Sequence, residues 1–252
     1  MKCRSQTAPP VTLGIAILLL AMLVVVLSQH VVFALTFNYF AYGSNVYAPT
    51  MTDMRNIQCV SSTAAILDGY KLRFNIPGIP AVEPSWACVE ASNNNNNNNS
   101  NNSNKNNSNQ DVVHGVMYTL TPQDFARISM SEGVPFGYQW KVVDVIPYQG
   151  DGVTAGRRAL LASKDSSSTT TPATTTVKAY TLVTNNPLWR RDIPPSKAYR
   201  NLLIRGARDF QMDEDYVAKL EAVPIGFTIG EGLVAKDMLE AAEKRAAKRR
   251  RT

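Results

Sequence analysis

Histidine is almost missing from this chain. Its 252 residues include two, His30 and His114. A multi-histidine metal site or a paired-imidazole relay is therefore excluded. Any Ser-His-Asp or Cys-His arrangement would have to run through His114, which lies in the apolar run Val112, Val113, Gly115, Val116. Cysteine is scarce as well: Cys3, Cys59 and Cys88 form no CxxC pair, so no zinc ribbon or thioredoxin-like motif is present. No metal site and no cofactor motif is expected, and the acid or base of an enzyme built from this chain would be a carboxylate or a tyrosine. Charge is sparse and lopsided. Residues 1–34 carry +2 and residues 243–252 carry +5 of a formal net +6, so what lies between is close to neutral at −1. The pI of 9.2 thus comes from the two ends and gives no argument for a nucleic-acid partner.

What is present begins with one long hydrophobic run. Val11–Leu27 holds seventeen residues without a charge, behind Lys2 and Arg4, and Val32-Phe33-Ala34 has the small-residue pattern of a cleavage site. The first reading of residues 1–34 is a secretory signal peptide. The second is an uncleaved anchor that tethers the chain to a membrane through residues 11–27, since seventeen residues sit at the short edge of a span. The expected location is accordingly the secretory pathway, secreted or lumenal, or membrane-anchored. In that compartment Cys59 and Cys88 are available to pair, and the sequons at Asn98, Asn101 and Asn106 become glycosylation acceptors.

Low-complexity stretches divide the remainder. An asparagine tract at 92–111 and a Ser/Thr/Ala/Lys-rich stretch at about 150–176 read as disordered insertions, and 243–252 reads as a basic tail. About 160 residues remain, enough for one domain within 35–242. Strand-like segments fall at Leu35–Tyr42, at Ala64–Leu67 and Tyr70–Phe74 around the turn pair Asp68-Gly69, at Trp86–Ala91 and at Val112–Leu120. Thr121-Pro122-Gln123-Asp124 opens a helix with a capping hydroxyl and a first-turn proline. Phe125, Ile128 and Met130 are the candidates for its buried side, and Gly133 is its stop. Tyr138–Tyr148 predicts the longest strand, with Val177–Val183 as its hairpin partner. Helices follow at Ser196–Arg208, at Asp213–Val223 with Asp213 as cap, and at Glu231–Arg249. The order argues for an α+β fold, a small mixed, mainly antiparallel β-barrel flanked by helices.

Three places carry candidate chemistry. Tyr39-Phe40-Ala41-Tyr42-Gly43-Ser44-Asn45 runs a strand into a tight turn whose backbone N–H groups can hold a carboxylate or an oxyanion, although such a turn is also an ordinary strand end. Glu132 is expected at the C-terminal end of the Thr121 helix, facing the negative end of its macrodipole. That setting disfavours ionisation and suits a proton carrier, against the plain alternative of a solvated surface glutamate. Tyr180, on the 177–183 strand, is either a hydrogen-bond donor into a cleft or a packed aromatic.

In order, Phe40-Ala41-Tyr42-Gly43-Ser44-Asn45, Ser131-Glu132-Gly133-Val134, Gly137-Tyr138-Gln139-Trp140, Ala179–Asn185 and the helix pair from Ser196 to Leu220 resemble the gamma-glutamylcyclotransferase family over residues 37–223. The resemblance implies a barrel with flanking helices and a cofactor-free lyase. Its substrate would be a small γ-glutamyl compound, converted to 5-oxoproline and a free amine. Glu132 would be the proton carrier, and Tyr39, Phe40, Ala41, Tyr42, Gly43, Ser44 and Tyr180 the substrate-binding residues. Asn45 after Tyr42-Gly43-Ser44 resembles the branch acting on γ-glutamyl amino acids. The alternative is an inactive, membrane-associated member that retains the pocket as a binding module.

Overall fold

The computed structural model describes residues 35–92, 111–150, 152–164, 175–184, 186, 191–229 and scattered positions from 236 to 247. By internal contacts the chain divides into residues 1–36 and 37–252, and every strand and helix below lies in the second unit. The segment read as signal or anchor and most of the asparagine tract lie outside the described residues, as does most of the helix expected over 231–249. Among the described residues no helix is long and apolar enough to cross a membrane.

Among the described residues seven strands and four α-helices follow in the order β1 (Phe37–Ala41), β2 (Ser61–Asp68), β3 (Tyr70–Ile79), β4 (Glu83–Ala91), β5 (Val112–Leu120), α1 (Pro122–Ser131), β6 (Gln139–Pro147), α2 (Ala155–Lys164), β7 (Val177–Val183), α3 (Lys197–Asp209) and α4 (Glu214–Glu221). Strands β1-β5-β2-β6-β7 close a barrel. All its pairings are antiparallel except the closing one, where Tyr39 of β1 lies opposite Tyr180 of β7 in parallel. The α+β, mainly antiparallel barrel expected from the sequence is therefore the fold, and β6 and β7 form the predicted hairpin pair. The main core, including Phe40, Leu67, Val113, Val116, Leu120 and Val145, continues into the buried side of α3 at Leu202, Leu203 and Ala207.

The Asp68-Gly69 pair joins strands that do not pair with each other. β2 stays in the barrel and β3 leaves for a separate two-stranded sheet with β4. Gly69, at φ +73°, takes a left-handed bend, and its N–H bonds to Asp111 O at 2.9 Å. The pair therefore marks a change of sheet. Residues 155–164, inside the stretch read as a disordered insertion, form α2, which buries Ala155 and Ala159, the latter against Ile66 and Ile146. Asp213 caps that helix and not its own: its carboxylate accepts from the N–H groups of Gly156 at 2.9 Å and Arg157 at 2.7 Å. Cys59 and Cys88, which the sequence left available to pair, are free thiols, and burial pushes each up to about 11. His114 is a core residue. It stacks on Tyr216 at 4.5 Å and shares a hydrogen bond with the Tyr148 hydroxyl, and burial lowers it to about 4.

α1 begins as its sequence says. The Thr121 hydroxyl accepts from Asp124 N at 3.2 Å, and Gly133 ends the helix at φ +66°. Ile128 is fully buried, but Met130 is 82% exposed, so the apolar face is narrower than the composition suggests. The helix that matters most to the site is α3. Gly206 lies so close to the chain at 46–47 that an added Cβ would sit 2.8 Å from Val46 C and from Tyr47 N. Gly206→Ala is expected to force those backbones apart and to lower stability by about 1–3 kcal/mol, read as a fall in the thermal midpoint.

Candidate active site

β1 ends at Ala41, and the chain turns through Tyr42-Gly43 into a single 3₁₀ turn at Ser44–Val46. Val46 N bonds to Gly43 O at 2.9 Å and Tyr47 N to Ser44 O at 3.2 Å, so two of the turn's N–H groups are spent on closing it. The Tyr199 phenol oxygen accepts from Ala87 N at 3.3 Å. With an N–H donor on its oxygen, Tyr199 has its own hydroxyl hydrogen left to offer. Tyr39 is in a similar position, because its oxygen accepts from Asn45 Nδ2 at 2.9 Å. Tyr138 and Tyr42 donate their hydroxyls to Ala87 O at 2.9 Å and Leu182 O at 2.5 Å, respectively. Burial raises Tyr39, Tyr42, Tyr138 and Tyr199 above the ordinary phenol range, so all four keep their protons.

Beside this turn lies a cavity of about 880 Å³, with Glu132 in its wall. Glu132 terminates α1, its N–H bonded to Ile128 O at 3.0 Å, and its side chain is 14% exposed. The helix-end reading of its electrostatics omitted a cation: Arg55 Nη2 is 2.6 Å from Oε1. Asn45 Nδ2 donates to the same oxygen at 2.8 Å. Oε2 takes no hydrogen-bond partner among the described residues. The Arg55 guanidinium also gives Nε to Asn45 Oδ1 at 2.9 Å and Nη1 to Ser131 Oγ. One planar fork therefore joins the β1 turn, the end of α1 and the Thr50–Met54 turn that precedes it.

Of the residues expected to bind substrate, Tyr39, Tyr42, Gly43 and Ser44 line the cavity with Glu132. Phe40 and Ala41 do not; both are fully buried in the core. Tyr180 is not among the lining residues either, and of its two sequence readings the structure shows the packed aromatic. It packs edge-on against Phe37, Phe125 and Trp140 at 6.0, 5.1 and 6.2 Å, in an aromatic cluster away from the cavity. Alternation along β1 puts Phe40 on the face opposite Tyr39, whereas Ala41 shares the face of Tyr39 and is covered by the core. The sequence reading missed Asn45, Arg55, Trp86, Tyr138 and Tyr199 as lining residues. Asn45 was within reach as the last residue of the turn motif, but no local pattern singles out Arg55 or Tyr199. Among the described residues no group of three or more His, Cys, Asp or Glu side chains could hold a metal ion.

The sequence model of the AIG2-like family matches residues 112–220. Over 82% of this chain and 98% of the other, a human uncharacterized protein superposes with a TM-score of 0.56 at 19% identity. A protein named gamma-glutamyl cyclotransferase superposes with a TM-score of 0.55 at 18% identity, over 83% of this chain and 99% of the other. This is the gamma-glutamyl cyclotransferase-like fold. In sequence, the gamma-glutamyl cyclotransferase gliK of Aspergillus fumigatus is 29% identical over 74% of this chain and 62% of its own length. The gamma-glutamyl cyclotransferase verK of Clonostachys rogersoniana is 31% identical over 44% of this chain and 61% of its own. The chain spans about three fifths of the length of these curated relatives. The resemblance to the gamma-glutamylcyclotransferase family read from residues 37–223 therefore stands in both sequence and fold.

Two predictions follow from the geometry alone. Arg55→Met leaves a mostly buried Glu132 without its cation, so Arg55→Met and Glu132→Gln should be strongly non-additive. A double-mutant cycle in denaturant is expected to give a coupling of about 1–3 kcal/mol. The second concerns Glu83, buried at the start of β4, which accepts from Ser196 N at 3.0 Å and Ser196 Oγ at 2.6 Å and so steadies the N-terminus of α3. Burial raises its carboxyl above 4.5, with the Ser196 hydrogen bonds opposing. Because the folded state holds this proton more tightly than the unfolded chain, the stabilisation is complete below 4.5 and is lost as pH rises through the raised value. Glu83→Gln, which keeps shape and removes the ionisation, should flatten the fall in thermal midpoint as pH rises above 4.5.

Proposed function

We propose that this protein is a gamma-glutamyl cyclotransferase, converting a γ-glutamyl amino acid to 5-oxoproline and a free amino acid. The observation that carries the reading is Glu132 in the cavity wall, gripped on one oxygen by Arg55 and Asn45 and carrying no partner on the other. A carboxylate held this way can take a proton without losing its position. The names of the sequence relatives support the same reading.

In this scheme Glu132 Oε2 takes a proton from the substrate's α-ammonium. The freed amine attacks the γ-carbonyl carbon of the same molecule, forming a carbon–nitrogen bond and a five-membered ring. The carbonyl π-electrons move to oxygen, where the Tyr39 and Tyr199 hydroxyls supply hydrogen bonds to the developing charge. The oxyanion then collapses, the bond to the departing nitrogen breaks as Glu132 returns its proton to that nitrogen, and the ring nitrogen gives up its second proton to the departing amine, which leaves as an ammonium. Electrons and protons balance without a cofactor. Because nucleophile and electrophile belong to one molecule, holding it in a folded conformation supplies much of the acceleration.

The test is 5-oxoproline release by the full chain from γ-glutamyl-alanine, with Glu132→Gln alongside. Loss of the proton carrier is expected to lower kcat by about 10²–10⁴-fold with little change in KM. Release that persists in Glu132→Gln would remove Glu132 from this role. No release from folded wild-type protein, for this or any other γ-glutamyl substrate, would favour the binding-module alternative.

A further inference from the structure

The cavity holds more than a γ-glutamyl group, and its two halves differ in character. At about 880 Å³ it lies in the upper part of the range of about 300–1,000 Å³ that encloses drug-sized ligands. Its inner wall is polar and buried, built from Tyr39, Asn45, Tyr199 and the Arg55–Glu132 pair. Its outer wall is built from Met54, Met130 and Arg127, whose exposures of 50%, 82% and, for the arginine side chain, 41% place them at the mouth.

Arg127 and Met130 are three apart on α1 and so share one face of the helix. Met54 closes the turn immediately before Arg55, across the same opening. Arg127 Nη1 bonds to Asp124 Oδ1 at 2.9 Å and Asn56 O at 3.3 Å, and its remaining N–H groups take no partner among the described residues. Glu132 is the one carboxylate among the residues described as lining the cavity, and it is already paired, so a cationic group at the mouth finds no counter-charge there.

We propose that this outer half receives the departing amino acid, with Arg127 binding its α-carboxylate and Met54 and Met130 packing on a large apolar side chain. The substrates are then γ-glutamyl conjugates of bulky apolar amino acids, in preference to those of small or cationic ones. Two thioethers suit that task, since methionine is unbranched and polarizable and adapts to varied apolar shapes. The free edge of a guanidinium matches a carboxylate in the same plane. This assignment rests on the cyclotransferase reading and adds to it which leaving groups the site selects.

The experiment compares kcat/KM of the full chain for γ-glutamyl-phenylalanine, γ-glutamyl-alanine, γ-glutamyl-lysine and γ-glutamyl-phenylalaninamide, which lacks the leaving α-carboxylate. Wild type should prefer phenylalanine over alanine and lysine by about tenfold or more. It should also prefer the phenylalanine conjugate over its amide by about tenfold. Met54→Ser with Met130→Ser, both at exposed positions, should shrink the phenylalanine-to-alanine ratio to about twofold or less. Arg127→Gln should abolish the preference for the carboxylate over the amide, and a thermal midpoint near that of wild type shows that each variant is folded. Release with no apolar preference, or with preferences unchanged in the variants, overturns the assignment while leaving the cyclotransferase reading standing. No release from any of the four overturns both.

Discussion

The Arg55 guanidinium is the group on which the site depends. Its three nitrogens engage Asn45, Ser131 and Glu132, drawn from the end of β1 and the end of α1, while its own backbone follows a third segment. A lysine would supply the charge but not the fork, because a single ammonium cannot reach three acceptors set in one plane. With both side chains under a fifth exposed, the ion pair is screened far less than a surface pair and its loss would strand a buried charge. The same contacts that hold the two segments together load one oxygen of Glu132, which defines the oxygen left to move a proton.

Around that tie the frame is made of close approaches. α3 can lie against the 3₁₀ turn because Gly206 has no side chain, and its N-terminus is anchored by Glu83 through Ser196. Tyr199, one turn further along, is thereby delivered to Gly43 and Ala87. Its phenol, like that of Tyr39, is buried deeply enough to keep its proton. The cavity is thus acidic in one sense only: it is lined with neutral O–H donors and a single paired carboxylate. Chemistry that develops negative charge on a carbonyl oxygen suits such a wall.

Much of the fold was legible because it is written locally. Thr121-Pro122 and Gly133 bound α1 through capping chemistry that acts within four residues, and the alternating apolar runs of β6 and β7 found each other as predicted. The errors came where a local signal had more than one tertiary use. Asp68-Gly69 has the chemistry of a hairpin turn, yet the strands it joins belong to different sheets. Residues 155–164 are poor in large apolar side chains and still form a helix, because Asp213, about fifty residues on, accepts from its first N–H groups. Capping by a distant carboxylate leaves no mark in the local sequence.

For the site the division is similar. The sequence alone determined that the acid or base would not be histidine. It also placed Glu132 at a helix end and marked Tyr42-Gly43-Ser44-Asn45 as a turn, since composition and capping preferences are properties of short segments. Only the tertiary structure decided that Arg55, Asn45 and Tyr199 meet Glu132, and that Tyr180 belongs to an aromatic cluster with Phe37, Phe125 and Trp140. Barrel closure sets those neighbours, and it depends on which strands pair across more than a hundred residues. A side chain's role in a cavity follows from that pairing, not from the residues beside it in the chain.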